Sequence, residues 1–151
     1  MDGIARLRRM ILSHGLTEIL MPKAARYVLA IVLALVVWAV VATLINFGLR
    51  SVIEGYRAEE LAMSFSLTLQ FARLGLGVIA TASSAITALA VSRGVRSAAI
   101  VSGCVLLAFF VPVHVDLWDR FPVWYHLFFL LSLPLVSYAV GSAWRPRNVA
   151  V

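Results

Sequence analysis

The segment from His114 to His126 gathers more side chains suited to acid–base or metal chemistry than any other stretch of the chain. It contains two histidines, two carboxylates, an arginine and three large amphipathic aromatic side chains. Imidazole and carboxylate groups ligate several transition metals, so His114, Asp116 and His126 are weak candidates for a metal site. The same histidines could contact the edge of a quinone or a haem.

Two other interpretations compete with a ligand site, and the first of them is favoured. Trp and Tyr prefer the headgroup zone of a membrane, so the segment serves as an interfacial anchor. Alternatively, Asp116 or Asp119 pairs with Arg73 or Arg120, while His126 caps the bundle. We expect no cofactor, because two histidines without ligand spacing are weak support for haem, metal or quinone. The candidate cluster at the outer interface comprises Arg73, His114, Asp116, Asp119, Arg120, Tyr125 and His126.

The motifs that the sequence lacks weigh against an enzyme. It contains no Walker loop, no His-Glu-x-x-His zinc helix and no Gly-x-Ser-x-Gly elbow. The predicted membrane spans hold no Asp or Glu, although a proton-coupled exporter needs a titratable group inside the membrane. We therefore expect a protein without enzymatic activity, and an ion-coupled antiporter is disfavoured.

The composition indicates the elements that position these residues. The chain has 151 residues, of which 62% are hydrophobic and 13% charged, whereas soluble domains are about 45–50% apolar and about 25% charged. This predicts an all-α integral membrane protein, a four-helix bundle in one domain over 24–145. A span needs about 20 apolar residues. The predicted spans are about 25–49, 69–92, 97–113 and 122–143, with a polar loop from His114 to Phe121 and a tail over 146–151.

Charges around these spans predict the orientation of the chain. Segment 1–23 interleaves Ile4, Leu7 and Ile11 with arginines, which predicts an amphipathic helix on the membrane surface. With four spans, one side carries nine Lys or Arg and two acids, and the other carries four Arg and five acids. The positive-inside rule then predicts cytoplasmic N- and C-termini. Because the basic residues flank apolar runs, the net charge of +6 does not indicate nucleic-acid binding.

Small residues in the spans predict how the helices pack. In a bilayer, helices associate through close approach of small side chains, and the second span carries them at helical spacing. This predicts a central second helix and a more lipid-exposed first helix, with a homodimer face as the alternative use of the small residues. The packing candidates are Gly77, Thr81, Ser84, Ala85, Gly103 and Gly141.

The indole of Trp38 needs a hydrogen-bond partner, expected to be a Ser or Thr of the second span. Asn46 is expected to form an interhelical or interfacial hydrogen bond.

The run Phe121-Pro-Val-Trp-Tyr-His-Leu-Phe-Phe-Leu, followed by Pro134 and Gly141, resembles the last span of small bacterial inner-membrane proteins of unassigned function. In those proteins a Pro-x-Trp-Tyr-His start opens the fourth helix, and the resemblance covers roughly residues 70–145. The chain departs from that pattern at Ser83-Ser84, where a glycine pair is more typical. The resemblance implies four helices in a bacterial inner membrane and carries no activity.

Three functional hypotheses follow. The leading one is a structural or accessory protein of the inner membrane, which acts through helix packing with itself or with a membrane partner. The first alternative is a ligand-, metal- or quinone-binding protein with a site at the outer interface. The second is a small oligomeric channel or transporter, for which the face of Thr81 and Ser84 is the candidate lining. In each case the surrounding partner is the lipid bilayer.

Overall fold

A computed structural model describes Gly3 and residues 21–145, and the elements within 21–145 are all helical. The predicted N-terminal amphipathic helix and the tail over 146–151 lie outside the described residues. Four of the helices are long and apolar enough to cross a membrane, in agreement with the all-α prediction. The elements are α1 (Lys23–Val52), α2 (Tyr56–Ala62), α3 (Leu67–Val91), α4 (Arg96–Asp116), a 3₁₀ turn (Trp118–Arg120) and α5 (Val123–Ala143).

Helix α4 is longer than the sequence predicted. It continues past Pro112 to Asp116, so His114 belongs to a helix and the prediction of a loop starting at this residue is wrong. A proline removes one backbone donor from a helix, but the turns after it still close, and the amide of Leu117 donates to the carbonyl of Val113 over 3.2 Å. His114 is therefore held by a regular helix.

Helix α3 occupies the centre of the bundle, since it packs against α1, α4 and α5. Nine of its residues are buried, whereas α1 buries only Ala30 and Ala34. The small residues on α3 let the neighbouring helices approach closely, as their spacing predicted. The buried residues of α3 are Leu69, Leu74, Gly77, Ala80, Thr81, Ser84, Ala85, Ala88 and Leu89.

A hydrogen bond joins the middle of α1 to α3. The indole Nε1 of Trp38 donates to the hydroxyl of Thr81 over 3.1 Å, which confirms the predicted partner class. The same hydroxyl donates to the carbonyl of Gly77 over 2.7 Å. A buried indole N–H without an acceptor would cost free energy, so this bond fixes how α1 is rotated against α3.

Helices α4 and α5 lie very close together at Gly103. A Cβ at this position would lie 2.8 Å from the carbonyl oxygen of Leu133 and 2.7 Å from Cβ of Ser137. The carbonyl is part of a helix backbone and cannot move aside without moving the helix. Only glycine allows this separation of α4 from α5.

We predict that Gly103→Ala lowers the free energy of unfolding by about 1–3 kcal/mol, the usual cost of overpacking a close contact. The matched control is Gly75→Ala, because a Cβ there meets no atom within 4 Å. Thermal unfolding in detergent measures both variants. Equal stability of Gly103→Ala and the wild type would contradict the packing described for α4 and α5.

Candidate functional site

A chain of hydrogen bonds connects α1, α2 and α3 at one end of the bundle. Helix α2 folds back after a turn at Gly55, whose φ of +80° suits glycine. The Tyr56 hydroxyl donates to Oδ1 of Asn46 over 2.6 Å, and Nδ2 of Asn46 donates to Glu60 over 3.1 Å. Nη1 of Arg73 donates to the Tyr56 hydroxyl over 3.1 Å. The expected polar contact of Asn46 is confirmed. We call Asn46, Arg50, Tyr56, Glu60 and Arg73 the Arg73 network.

Glu60 stands between two arginines in this network. Its Oε2 lies 2.7 Å from Nε of Arg50, and its Oε1 lies 3.7 Å from Nη1 of Arg73. The hydrogen bond from Arg50 is the main reason that the pKa of Glu60 falls below its usual value, with Asn46 and the charge of Arg73 acting in the same direction. With two guanidinium groups and one ionised carboxylate, the network carries a net charge of +1.

Arg73 is only partly satisfied by these neighbours. Its guanidinium carbon lies 4.5 Å from the centre of the Phe65 ring, an attractive cation–π contact. The Tyr125 hydroxyl is a further neighbour of Arg73 through hydrogen bonding and charge. Among the described residues, however, the buried Nε of Arg73 has no hydrogen-bond partner. A charged donor without an acceptor is unfavourable, and 30% of the Arg73 side chain stays exposed.

A cavity of about 250 Å³ lies beside Arg73 and is partly open. Its walls come from α1, α3, α4 and α5. One end is closed by the ring of Phe110, which lies 4.8 Å from Trp38 and 5.2 Å from Phe129 between ring centres. The other end holds the polar groups of Arg73 and Asn46, so the cavity is apolar at one end and cationic at the other. Its lining is Trp38, Ala42, Thr43, Asn46, Arg73, Leu76, Phe110, Tyr125 and Phe129.

The two histidines of the predicted cluster meet near the same end of the bundle. Nδ1 of His114 lies 2.8 Å from Nδ1 of His126, and both side chains are buried. One of these nitrogens donates and the other accepts, because a single proton lies between them. The rings of Trp118 and Phe129 stack on His126 and His114 at 4.8 and 4.6 Å. The pair therefore forms a buried junction between α4 and α5.

The other predicted site residues separate into two groups. Tyr125 is buried and lines the cavity with Arg73, whereas Asp116, Asp119 and Arg120 are exposed. The alternative in which an aspartate pairs with Arg73 is wrong, because α2 folds back and brings Glu60 to that arginine instead. Within residues 21–145, no three His, Cys, Asp or Glu side chains form a group that could hold a metal ion.

The sequence did not indicate the parts of the site that come from α2 or from the aromatic side chains that line the cavity. Tyr56 and Glu60 lie between the first two predicted spans and Phe110 lies inside the third, and none of them is among the predicted site residues. The one available signal was an acid in a short segment near Arg50 and Arg73, since a charge at a membrane boundary usually has a partner.

Comparison with known proteins adds no relative, because no protein-family model, curated protein or solved structure matches the chain.

We predict that the histidine pair is energetically coupled. His114→Phe and His126→Phe each leave the other imidazole with an unpaired buried nitrogen, which costs about 1–3 kcal/mol. The double variant removes both polar groups and should lose less than the sum of the single losses. A double-mutant cycle of thermal unfolding measures this difference. Strictly additive losses would show that the histidines do not share a hydrogen bond.

We predict a pH dependence for Glu60. Its pKa is lowered in the folded protein from 4.5, so the ionised carboxylate stabilises the fold above pH 4.5 and that contribution is lost as the pH falls below it. Glu60→Gln should therefore be less stable than the wild type at pH 7, with a smaller difference near pH 3.5. Glu54→Gln, at an exposed position nearby, is the control. A difference for Glu60→Gln that stays constant with pH would contradict the ion pairing described.

Proposed function

We propose that this chain is a multi-pass protein of the bacterial cytoplasmic membrane that binds an amphipathic small molecule between its helices. The observation that carries the proposal is the cavity beside Arg73, which is lined by aromatic side chains at one end and by Arg73 and Asn46 at the other. Ligand sites combine a mostly apolar lining with a few polar groups in this way. The proposed role is binding rather than catalysis.

Membrane insertion is supported by the outer surface of the four long helices. Large apolar side chains face outward along their length, for example Val32, Phe47 and Phe109. A water-soluble monomer rarely exposes so large an apolar surface, whereas lipid tails favour it. The distribution of arginines supports cytoplasmic termini. With that orientation, the Arg73 network lies near the outer surface of the membrane.

The structure weakens two competing hypotheses. Gly77, Thr81, Ser84 and Ala85 are buried within one bundle, so this stripe is not available as a homodimer face or as the lining of a shared pore. A role in packing against a membrane partner then depends on the exposed face of α1, which lipid covers equally well. The cavity favours ligand binding over the accessory role and over the oligomeric channel.

We predict that filling the cavity removes the bound molecule. Ala42 lines the cavity, whereas Val40 on the same helix is 51% exposed and points away from the bundle. Native mass spectrometry of protein extracted from its membrane in mild detergent should show a retained small molecule for the wild type and for Val40→Phe. Ala42→Phe should lose it while keeping its helical content.

Two outcomes would contradict the proposal. One is a bare chain for the wild type in a folded state. The other is equal retention of the same molecule by Ala42→Phe, which would locate that molecule outside the cavity. A partner protein retained in place of a small molecule would support the accessory role.

A further inference from the structure

The Arg73 network leaves Arg73 in need of an anion. Glu60 directs Oε2 to Arg50 at 2.7 Å and accepts from Asn46 at Oε1 over 3.1 Å. Its distance to Arg73, 3.7 Å, is longer than a hydrogen bond. The direct hydrogen bond of Arg73 within the network goes to the neutral hydroxyl of Tyr56. The carboxylate of Glu60, the one acid of the network, is therefore bound mainly by Arg50.

Arg73 presents part of its side chain to the cavity. It lines the cavity, and 30% of its side chain is exposed. Guanidinium groups bind carboxylate and phosphate oxygens through short, charge-assisted hydrogen bonds. A neutral acceptor could accept a hydrogen bond from Arg73 but would not balance its charge. Charge and hydrogen bonding therefore both favour a ligand with an anionic head group.

The size and lining of the cavity indicate what is attached to that head group. At about 250 Å³, the cavity falls just below the range of about 300–1,000 Å³ typical of sites that enclose a whole ligand. It has room for a head group and the first carbons of a chain. The rings of Trp38, Phe110 and Phe129 line the path that these carbons would follow. The rest of the chain would pass through the open side into the surrounding lipid.

We propose that the cavity binds an amphiphile with an anionic head group, a carboxylate or a phosphate. Arg73 holds the head group, while the aliphatic chain lies against the rings of Trp38, Phe110 and Phe129. This inference rests on the proposed ligand-binding function and specifies the ligand class. Arg73 is the residue that determines specificity, because it sets the preference for an anion over a neutral head.

The experiment compares three probes on the purified chain in a neutral detergent: monododecyl phosphate, 1-dodecanol and inorganic phosphate. Ligand-dependent unfolding temperatures and native mass spectrometry report binding. The wild type should bind dodecyl phosphate at least about tenfold more tightly than dodecanol, as expected for a hydrogen bond to a charged group. Inorganic phosphate should bind much more weakly than dodecyl phosphate, since it lacks the chain.

Two arginine variants assign the preference to one residue. Arg73→Gln should lose it, so that dodecyl phosphate and dodecanol bind equally. Arg120→Gln removes one positive charge at an exposed residue that neither belongs to the Arg73 network nor lines the cavity, and it should keep the preference. If Arg73→Gln does not fold, Arg73→Lys retains a charge without the planar fork of guanidinium donors, and a reduced preference is expected.

The outcomes separate this inference from the proposed function. Equal binding of both amphiphiles to the wild type, lost in Ala42→Phe, would overturn the anionic head group and leave ligand binding intact. Equal binding of inorganic phosphate and dodecyl phosphate would overturn the amphiphile in favour of a soluble anion. Binding of no probe would overturn both proposals. An undiminished preference in both Arg73 variants would overturn the role of Arg73.

Discussion

The attachment of Arg73 to the folded-back helix α2 is the interaction on which one end of the bundle depends. A guanidinium near the end of an apolar helix needs oxygen partners, and Tyr56 and Glu60 supply them from outside the four long helices. Those partners reach Arg73 only because the turn at Gly55 reverses the chain after α1. The same contacts hold Asn46 and Arg50. Loss of the Arg73 contacts would leave α2 attached to α1 through Asn46 and Arg50.

A different constraint applies at the centre of the bundle, where the helices approach one another closely because they carry small residues. Small residues on α3 bring α1 near enough for Trp38 to donate to Thr81, and Gly103 lets α4 touch the backbone of α5. Large rings replace the small residues towards the Arg73 end, where Phe110 packs against Trp38 at a tilt and against Phe129 edge to face. These three rings line the cavity, so the cavity lies where side-chain size changes along the helices.

Much of this could be predicted from the sequence, because it depends on patterns within single helices. Hydropathy gave the four apolar helices, small-residue spacing gave the central position of α3, and the need to satisfy an indole gave the contact of Trp38. The third span was predicted to end at residue 113, which assigned His114 to a loop, although α4 continues past the missing donor of Pro112 to Asp116. The partner of Arg73 was also missed, because the reversal of α2 and the choice of Glu60 over an aspartate depend on tertiary geometry.

A crystal structure of the protein grown from a lipidic mesophase would test the central claim most directly. We expect density in the cavity for an amphiphile, with an anionic oxygen within hydrogen-bonding distance of the Arg73 guanidinium and carbon atoms against Trp38 and Phe110. A cavity closed by side chains, or holding only water at Arg73, would contradict it.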